Sequence, residues 1–312
     1  MSESTPAVIL DCDPGHDDVV AIVAAARHTE LLGITTVAGN APLDRTTYNA
    51  RVMRDLLGLD VAIHSGAARP LVVAPAFAGY VHGESGLDGA ELPEPTTALD
   101  GVDAARFIVD TVHAHPGCHL VVTGPMTNIA LALIQDPTIR DDLAGISFMG
   151  GGTFGNRTPT AEFNIWADPH AARVVVDAGI PLTMAGLDVT HQFQTNSERI
   201  DRVRAIGGPL ATVLADLFTF FSANYRDRHD DLEGAAVHDP LAVLALTHPH
   251  LFSTSDRFVA VVDDGELTRG MTVIDRRTLV DRPAANCRVL EQVDAPAAWD
   301  VIIDAISAVT TP

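Results

Sequence analysis

Residues 9–22 read I-L-D-C-D-P-G-H-D-D-V-V-A-I, and this stretch decides the fold of the chain. An apolar run at 7–10 is typical of a buried strand, and a second apolar run at 19–26 is typical of a helix. Pro14 and Gly15 form a turn between the two runs. The stretch therefore predicts a strand that turns at once into a helix, which is the first unit of an α/β sheet.

The same stretch concentrates negative charge, because Asp11, Asp13, Asp17 and Asp18 lie within eight positions. A helix that begins near Asp17 favours one or two of these charges at its N-terminus, where the N–H groups are unpaired. A helix N-terminus cannot stabilise all four carboxylates, so the others stay in water, shift their pKa values or bind a cation. Their oxygen ligands favour Ca²⁺ or Mg²⁺ over zinc. An acidic N-cap on an ordinary surface helix is the alternative interpretation.

The rest of the chain continues the alternation of strand and helix. Strands are predicted at 32–37, 61–63, 119–122, 145–149 and 181–185, and helices at 44–57, 102–114, 126–135 and 169–178. The second half adds helices at 196–206, 209–228 and 238–247, a terminal group of strands at 258–262, 271–274 and 287–291, and a helix at 295–308. This order predicts an α/β fold, a Rossmann-like open sheet that is mainly parallel and covered by helices on both faces. No repeat or linker interrupts the pattern, so residues 1–312 are predicted to form a single domain.

Composition limits the classes of function. The formal net charge of −21 argues against nucleic acid or an anionic membrane surface as a partner, because both attract Lys and Arg. The sequence has no basic segment followed by an apolar core at its start and no run of about 18 apolar residues, which predicts neither a signal peptide nor a membrane span. Cys12, Cys118 and Cys287 are far apart in the sequence, and Cys12 and Cys118, which adjoin predicted strands, are typical of buried reduced thiols. We expect a cytoplasmic protein.

Ligands of open α/β sheets bind outside the carboxyl ends of the strands, where the loops after the strands meet. Polar side chains occupy the loops that follow the predicted strands, namely Asn40, Thr123, Asn156, Glu162 and Asn164. Amide and carboxyl groups can exchange hydrogen bonds with hydroxyl groups. The sequence therefore predicts a small-molecule site beside the acidic stretch.

A second acidic motif lies far along the chain. Residues 237–240 read V-H-D-P and open an apolar helix. Asp239 can serve as the N-cap of that helix, with Pro240 at its first position. It can equally supply the distant ligand that a metal site needs, since one turn rarely provides enough ligands. His238, and His82 in a Gly-rich loop, are either structural histidines or contacts to a ligand.

Five blocks of the sequence resemble, in order, those of the inosine-uridine-preferring nucleoside hydrolase family. They are D-C-D-P-G-H-D-D at 11–18, V-H-G-E-S-G-L-D-G at 81–89, T-G-P-M-T-N-I-A at 123–130, A-E-F-N-I-W-A-D-P at 161–169 and V-H-D-P at 237–240. The resemblance extends over nearly the whole chain. It implies the nucleoside hydrolase fold and a Ca²⁺-dependent hydrolysis of the N-glycosidic bond of ribonucleosides, which yields free base and ribose.

The resemblance also implies roles around the metal. The Ca²⁺ ligands would be Asp13, Asp18, Asp239 and the backbone carbonyl of Thr123. Asp13 would in addition be the general base for the attacking water that the metal holds, with Asn40 near this nucleophile.

A further set of residues would bind the nucleoside. Asp17, Asn156, Glu162 and Asn164 would hold the ribose hydroxyl groups. His82 and His238 would face the base, and His238 would assist its departure. Asp11 would hold its neighbours in place.

The segment at 225–231, Y-R-D-R-H-D-D, departs from the family pattern, which places mobile residues over the base there. Tyr225, Arg226 and His229 are candidates for contacts with the base, and a solvated helix end is the alternative. The base preference therefore stays open, while His238 favours the inosine-uridine type over purine-specific relatives.

Two other classes of function stay open at this point. The D-x-D after an apolar strand also resembles a haloacid-dehalogenase-like phosphatase that is phosphorylated on Asp11, although no basic phosphate-binding residues lie near it. A non-catalytic, Ca²⁺-dependent ribose-binding protein is the other alternative. The family resemblance further implies a homodimer or a homotetramer.

Overall fold

The structure is a computed structural model, and it describes residues 5–226, 234–278 and 281–310. The strands are β1 Ala7–Cys12, β2 Glu30–Thr36, β3 Ile63–Ser65, β4 His119–Val122, β5 Gly145–Met149, β6 Leu182–Ala185, β7 Phe252–Arg257, β8 Val259–Val261, β9 Thr272–Ile274 and β10 Cys287–Val293. The helices are α1 Asp18–His28, α2 Leu43–Leu57, α3 Gly79–His82, α4 Ala104–Ala114, α5 Thr127–Gln135, α6 Ile139–Asp142, α7 Phe163–Ala167, α8 Pro169–Val176, α9 Leu187–Thr190, α10 Ser197–Ile206, α11 Gly208–Arg226, α12 Pro240–Thr247 and α13 Ala295–Thr310.

Within these residues, eight strands form one sheet in the order β3-β2-β1-β4-β5-β6-β10-β7. All neighbours in this sheet are parallel except β10 and β7, which pair antiparallel. Strands β8 and β9 form a separate antiparallel pair. The predicted α/β fold with a mainly parallel sheet is confirmed.

Strand β1 shows why the sheet is covered on both faces. Its side chains alternate, so that Val8, Leu10 and Cys12 pack into one core and Ile9 packs into the other. The first core also contains side chains of α1, α11, α12 and α13, and the second contains side chains of α4, α5 and α8. Continuous apolar strands of this kind are typical of parallel sheets buried on both sides. The expected burial of Cys12 and Cys118 as free thiols is also confirmed, and Cys287 is likewise buried and free.

The three strands predicted near the end of the chain are present, as β8, β9 and β10, but the prediction that they form one group is wrong. Strand β10 enters the main sheet between β6 and β7, whereas β8 and β9 stay outside it. Strand β7, which reads F-S-T-S-D-R, was not predicted from the sequence. This strand lies at the edge of the sheet and pairs on one side, so its polar side chains need no apolar partner, and its sequence lacks the pattern of a buried strand.

The order of the strands positions the site. Strand β1 lies between β2 and β4, so the chain winds outward in both directions from this point, and open sheets of this kind hold ligands at the carboxyl ends beside it. The amide of Thr123 donates to the carbonyl of Asp11 over 2.9 Å, which brings the loops after β1 and β4 side by side. Among the described helices, none is both long and apolar enough to cross a membrane.

Candidate functional site

The turn between β1 and α1 is organised by Asp18, the first residue of the helix. Its carboxylate accepts hydrogen bonds from the amides of Gly15 at 2.9 Å and Asp13 at 3.3 Å, which closes the turn. It also accepts from Asn40 Nδ2 at 3.0 Å and from Thr123 Oγ1 at 2.7 Å. The loops after three neighbouring strands are therefore joined at one buried carboxylate.

Asp13 is enclosed by the same loops. Its Oδ2 accepts from the Asn40 amide at 2.6 Å, and Asn40 Nδ2 donates to its carbonyl at 3.1 Å. A Cβ at Gly39 would lie 2.0 Å from Asp13 Oδ2, and one at Gly124 would lie 2.6 Å from Asp13 Oδ1, so both positions require glycine. Asp13 Oδ1 is buried and has no hydrogen-bond partner among the described residues.

Three further carboxylates converge beside it. Asp17, Asp18 and Asp239 are all buried, and each offers an oxygen within 4.8 Å of the other two. Burial, with the nearby charge of Asp18, raises the pKa of Asp17 to about 7. Burial and the neighbouring carboxylates likewise raise the pKa of Asp239 and that of Asp13 well above the ordinary range. A cation placed here would reverse these shifts, because it favours the ionised form of each carboxyl group.

The predicted metal set is only partly the same as this group. The geometry adds Asp17, which the sequence analysis assigned to the ribose, and it leaves Asp13 outside the group of three. Asp239 Oδ2, like Asp13 Oδ1, is buried without a hydrogen-bond partner among the described residues. The set therefore offers buried carboxylate oxygens that fit a hard cation.

The long loop after β5 brings amide and carboxyl groups to the same place. Asn164 Nδ2 donates to the Thr123 carbonyl at 2.8 Å. Glu162 caps α7, since its carboxylate accepts from the amides of Asn164 at 2.8 Å and Ile165 at 3.1 Å. Burial raises the pKa of Glu162 to about 6, although these amide hydrogen bonds oppose the shift. Asn156 Oδ1 accepts from the amide of Phe163 at 2.9 Å, which fixes its orientation.

Two histidines complete the site, and each is held by a residue that the sequence analysis missed. His82 Nδ1 lies 3.0 Å from Nδ1 of the fully buried His16, whose ring stacks on Phe221. His238 Nδ1 lies 2.7 Å from the hydroxyl of Thr190. The signal for His16 was present in the D-C-D-P-G-H-D-D block. A single threonine after an apolar run gives no local signal.

These residues surround a cavity of about 180 Å³. Nine of the predicted site residues line it, namely Asp17, Asn40, His82, Thr123, Asn156, Glu162, Asn164, His238 and Asp239. Asp13 and Asp18 do not line the cavity but accept hydrogen bonds from residues that do, Asp13 from Asn40 and Asp18 from Thr123. Of the three candidates for contacts with the base, His229 and the side chains of Tyr225 and Arg226 lie outside the described residues.

Comparison with known proteins relates this geometry to a family. The profile described as "Inosine-uridine preferring nucleoside hydrolase" matches residues 8–300. The pyrimidine-specific ribonucleoside hydrolase RihA of Shewanella oneidensis is 42% identical over 308 residues, covering 97% of this chain and 96% of that protein. The protein of the same name from Shigella boydii is 44% identical over 303 residues, covering 95% of this chain and 97% of that protein.

A solved structure agrees with these relatives. The purine-preferring ribonucleoside hydrolase from Gardnerella vaginalis superposes with a TM-score of 0.91 at 33% identity, covering 97% of this chain and 99% of that one. The fold, the ordered motifs and the profile match thus agree over almost the whole sequence. The chain belongs to the inosine-uridine preferring nucleoside hydrolase family and is a nucleoside hydrolase.

Proposed function

We propose that this enzyme hydrolyses pyrimidine ribonucleosides preferentially and that it requires Ca²⁺, held at the floor of the cavity by aspartates. The observation that carries the proposal is the convergence of buried carboxylates, two of which have oxygens without hydrogen-bond partners among the described residues, beneath a cavity lined by amide groups. The phosphatase and the non-catalytic binding protein are set aside, because the family and its relatives are nucleoside hydrolases.

Asp13, Asp17, Asp18 and Asp239 would hold the ion, together with the Thr123 carbonyl. Ca²⁺ takes six to eight oxygen ligands, and this group offers carboxylate and carbonyl oxygens in close proximity. When bound, the ion would hold two ribose hydroxyl groups and lower the pKa of the attacking water. Asp18, whose oxygens accept four hydrogen bonds, would keep the ligand set in place when the ion is absent.

Asp13 would act as the general base. Its Oδ2 is held by the Asn40 amide, which leaves Oδ1 to accept a proton from the attacking water. The water oxygen bonds to the anomeric carbon as the C–N bond breaks, and the electron pair of that bond leaves with the base. The departing nucleobase then takes up a proton, which balances the proton that Asp13 removes from the water. The ionised carboxylate, which a neighbouring cation would favour, is the form of Asp13 that accepts the proton.

Asn156, Glu162 and Asn164 would bind the ribose, together with Asp17, which would contact both the ribose and the ion. The carboxylate of Glu162 accepts hydrogen bonds from three backbone amides, which include that of Gly151 at 2.9 Å. These hydrogen bonds hold its negative charge in one position. Glycoside cleavage passes through a transition state in which the sugar becomes cationic. Fixed negative charge around the ribose therefore stabilises the transition state more than the substrate.

His82 and His238 would contact the base. His238 would offer a hydrogen-bond donor to the departing base, because a neutral pyrimidine leaves poorly as an anion. The preference for pyrimidines rests on the relatives that are 42% and 44% identical to this chain and that are named for pyrimidine ribonucleosides. The enzyme would work as a homodimer or homotetramer, as the family resemblance implies, and we expect it in the cytoplasm.

A panel of nucleosides tests the proposal, with release of reducing sugar as the measurement. We expect uridine and cytidine to give a higher kcat/KM than inosine, and 2′-deoxyuridine to react slower than uridine by roughly 10⁴, because the groups that hold the 2′-hydroxyl would lose their partner. Equal kcat/KM for uridine and 2′-deoxyuridine would contradict the assigned ribose contacts. A higher kcat/KM for inosine than for uridine would contradict the pyrimidine preference.

A further inference from the structure

A buried threonine lies behind His238. Thr190 ends α9, its side chain is 0% exposed, and its Oγ1 lies 2.7 Å from His238 Nδ1. Its backbone is already bonded, since its amide donates to Gly186 over 3.0 Å and its carbonyl accepts from the amide of Phe193 over 3.0 Å. Thr190 is not among the residues proposed to hold the ion, and it is not among those that line the cavity.

The direction of this hydrogen bond follows from the surroundings of the hydroxyl group. Among the described residues, Thr190 Oγ1 has no hydrogen-bond partner other than His238 Nδ1. If Nδ1 donated, the buried hydroxyl proton would have no acceptor, and leaving a buried donor unpaired is unfavourable. The hydroxyl group therefore donates and Nδ1 accepts. An imidazole whose Nδ1 accepts carries its proton on Nε2.

We propose that Thr190 is a positioning residue that holds His238 as the Nε2–H tautomer, with that N–H directed to the base of the nucleoside. The proposal rests on the function assigned to His238 above. Because Nδ1 is turned to the buried threonine, Nε2 is the ring nitrogen that a molecule in the cavity can reach. A hydrogen bond from Nε2–H to the base shares the negative charge that develops as the C–N bond breaks. The hydrogen bond itself transfers no group.

Two substrates and two variants test the proposal. Thr190→Val keeps the shape of the side chain and removes the donor, whereas Thr190→Ser keeps the donor. Uridine needs help with its leaving group, and 4-nitrophenyl β-D-ribofuranoside does not, because 4-nitrophenolate is a stable anion. We expect Thr190→Val to lower the ratio of the uridine kcat to the nitrophenyl riboside kcat roughly tenfold, the equivalent of one neutral hydrogen bond.

The ratio is insensitive to the amount of folded protein, because both rates come from the same sample. Thr190→Ser is expected to restore the ratio. Thr195→Val is the matched control, since Thr195 is also 0% exposed and its hydroxyl bonds with Ser222 at 2.6 Å. That control is expected to cost stability and leave the ratio unchanged. Equal slowing of both substrates by Thr190→Val, or a change in the ratio with Thr195→Val, would overturn the proposal.

The nitrogen spectrum of His238 provides a readout that does not depend on activity. In the ¹⁵N-labelled enzyme, assigned with a His238→Gln variant, we expect a protonated Nε2 and an unprotonated Nδ1, and we expect Thr190→Val to shift Nδ1. A protonated Nδ1 in the unmodified enzyme would overturn the proposal. If the enzyme released no base from uridine, the proposed function would fail, while this spectrum would still decide the role of Thr190.

Discussion

Asp18 is the residue on which the aspartate cluster depends. Its carboxylate is buried and accepts from donors on the loops after β1, β2 and β4. Burial raises its pKa even so, while the hydrogen bonds oppose that shift. Asp17 and Asp239 each offer an oxygen within 4.8 Å of one of its oxygens, so a cation bound here would favour the ionised form of Asp18.

Replacing Asp18 is therefore expected to release the ion. We predict that Asp18→Ala retains no calcium after gel filtration and has a lower Tm in calcium-containing buffer than the unmodified enzyme. Metal analysis and calorimetry measure the two effects. Asp110→Ala is the control, since Asp110 is exposed and pairs with Arg106 on α4; it should change neither quantity. A full equivalent of calcium in purified Asp18→Ala would exclude Asp18 from the ligand set.

His238 and Asp13 are expected to differ in how their loss depends on the substrate. His238→Ala should lower the rate of uridine hydrolysis by a factor of about 10²–10⁴, which is the usual contribution of general acid catalysis. It should lower the rate of 4-nitrophenyl riboside hydrolysis far less. Asp13→Ala should slow both, because every substrate needs an activated water. The kcat for both substrates in both variants is the measurement. Equal slowing by His238→Ala would mean that His238 positions the ribose or α12 and does not assist the leaving group.

At the scale of elements, one buried aspartate joins three parts of the fold. Asp168 caps α8, because its carboxylate accepts from the amide of Ala171 at 3.1 Å. It also accepts from the hydroxyl of Thr127 on α5 at 2.7 Å and from the amide of Leu71 at 2.9 Å. Leu71 lies in the irregular segment between β3 and α3. The aspartate thus ties this segment to the helices that cover the sheet.

The loss of this group should destabilise the protein more than the loss of an ordinary N-cap. We predict that Asp168→Ala lowers the free energy of unfolding by about 3 kcal/mol, since the cap is removed and buried donors lose their acceptor. Asp103→Ala is the comparison, because Asp103 caps α4 in the same way, from the amide of Arg106 at 3.0 Å, and is exposed. That change should cost about 1 kcal/mol. Similar denaturation curves for the two variants would contradict this account.

Elements differ in how far the sequence could predict them. Apolar strands covered on both faces, such as β4 and β5, have the predicted bounds, because burial leaves a continuous apolar run. Edge strand β7 was missed because it pairs with a described strand on one side only, and helices α3 and α7 are too short to show a period. The site residues could be predicted where polar side chains follow strands. Thr190 could not, because only the packing of α9 beside His238 gives it a role.

At the scale of the whole molecule, the acidic character of the chain extends into its interior. The net charge is −21, and five aspartates, Asp11, Asp13, Asp17, Asp18 and Asp239, are buried around one end of β1. Burial raises the pKa of Asp11 and of Asp17 to about 7. Without a cation, the folded protein therefore holds protons that the unfolded chain has released, because an unfolded aspartate titrates near pH 4.

The sign of the pH dependence follows. As the pH rises from about 4 to about 7, the metal-free folded state binds more protons than the unfolded state, so the free energy of unfolding falls. Bound calcium would stabilise the ionised carboxylates, so its contribution to the free energy of unfolding would grow over the same range. We predict that added calcium raises Tm more at about pH 7.5 than at about pH 5. Histidines with a lowered pKa, such as His16, make the free energy of unfolding rise with pH. Their contribution cancels when the Tm values with and without calcium are compared at the same pH. An equal rise in Tm at both pH values would contradict calcium binding to these carboxylates.

The position of β10 has a consequence for how the protein is made. Cys287 pairs with Leu182 on one side and with Arg257 on the other, so β6 and β7 have no link through the sheet until β10 is present. While the ribosome synthesises the intervening residues, β6 presents an open edge and β7 has no neighbour. Pairings between strands so distant in sequence also form slowly. A nascent chain that stalls before residue 287 would thus expose a sheet edge that can pair with other chains. We therefore expect truncated forms of this enzyme to aggregate unless chaperones bind them.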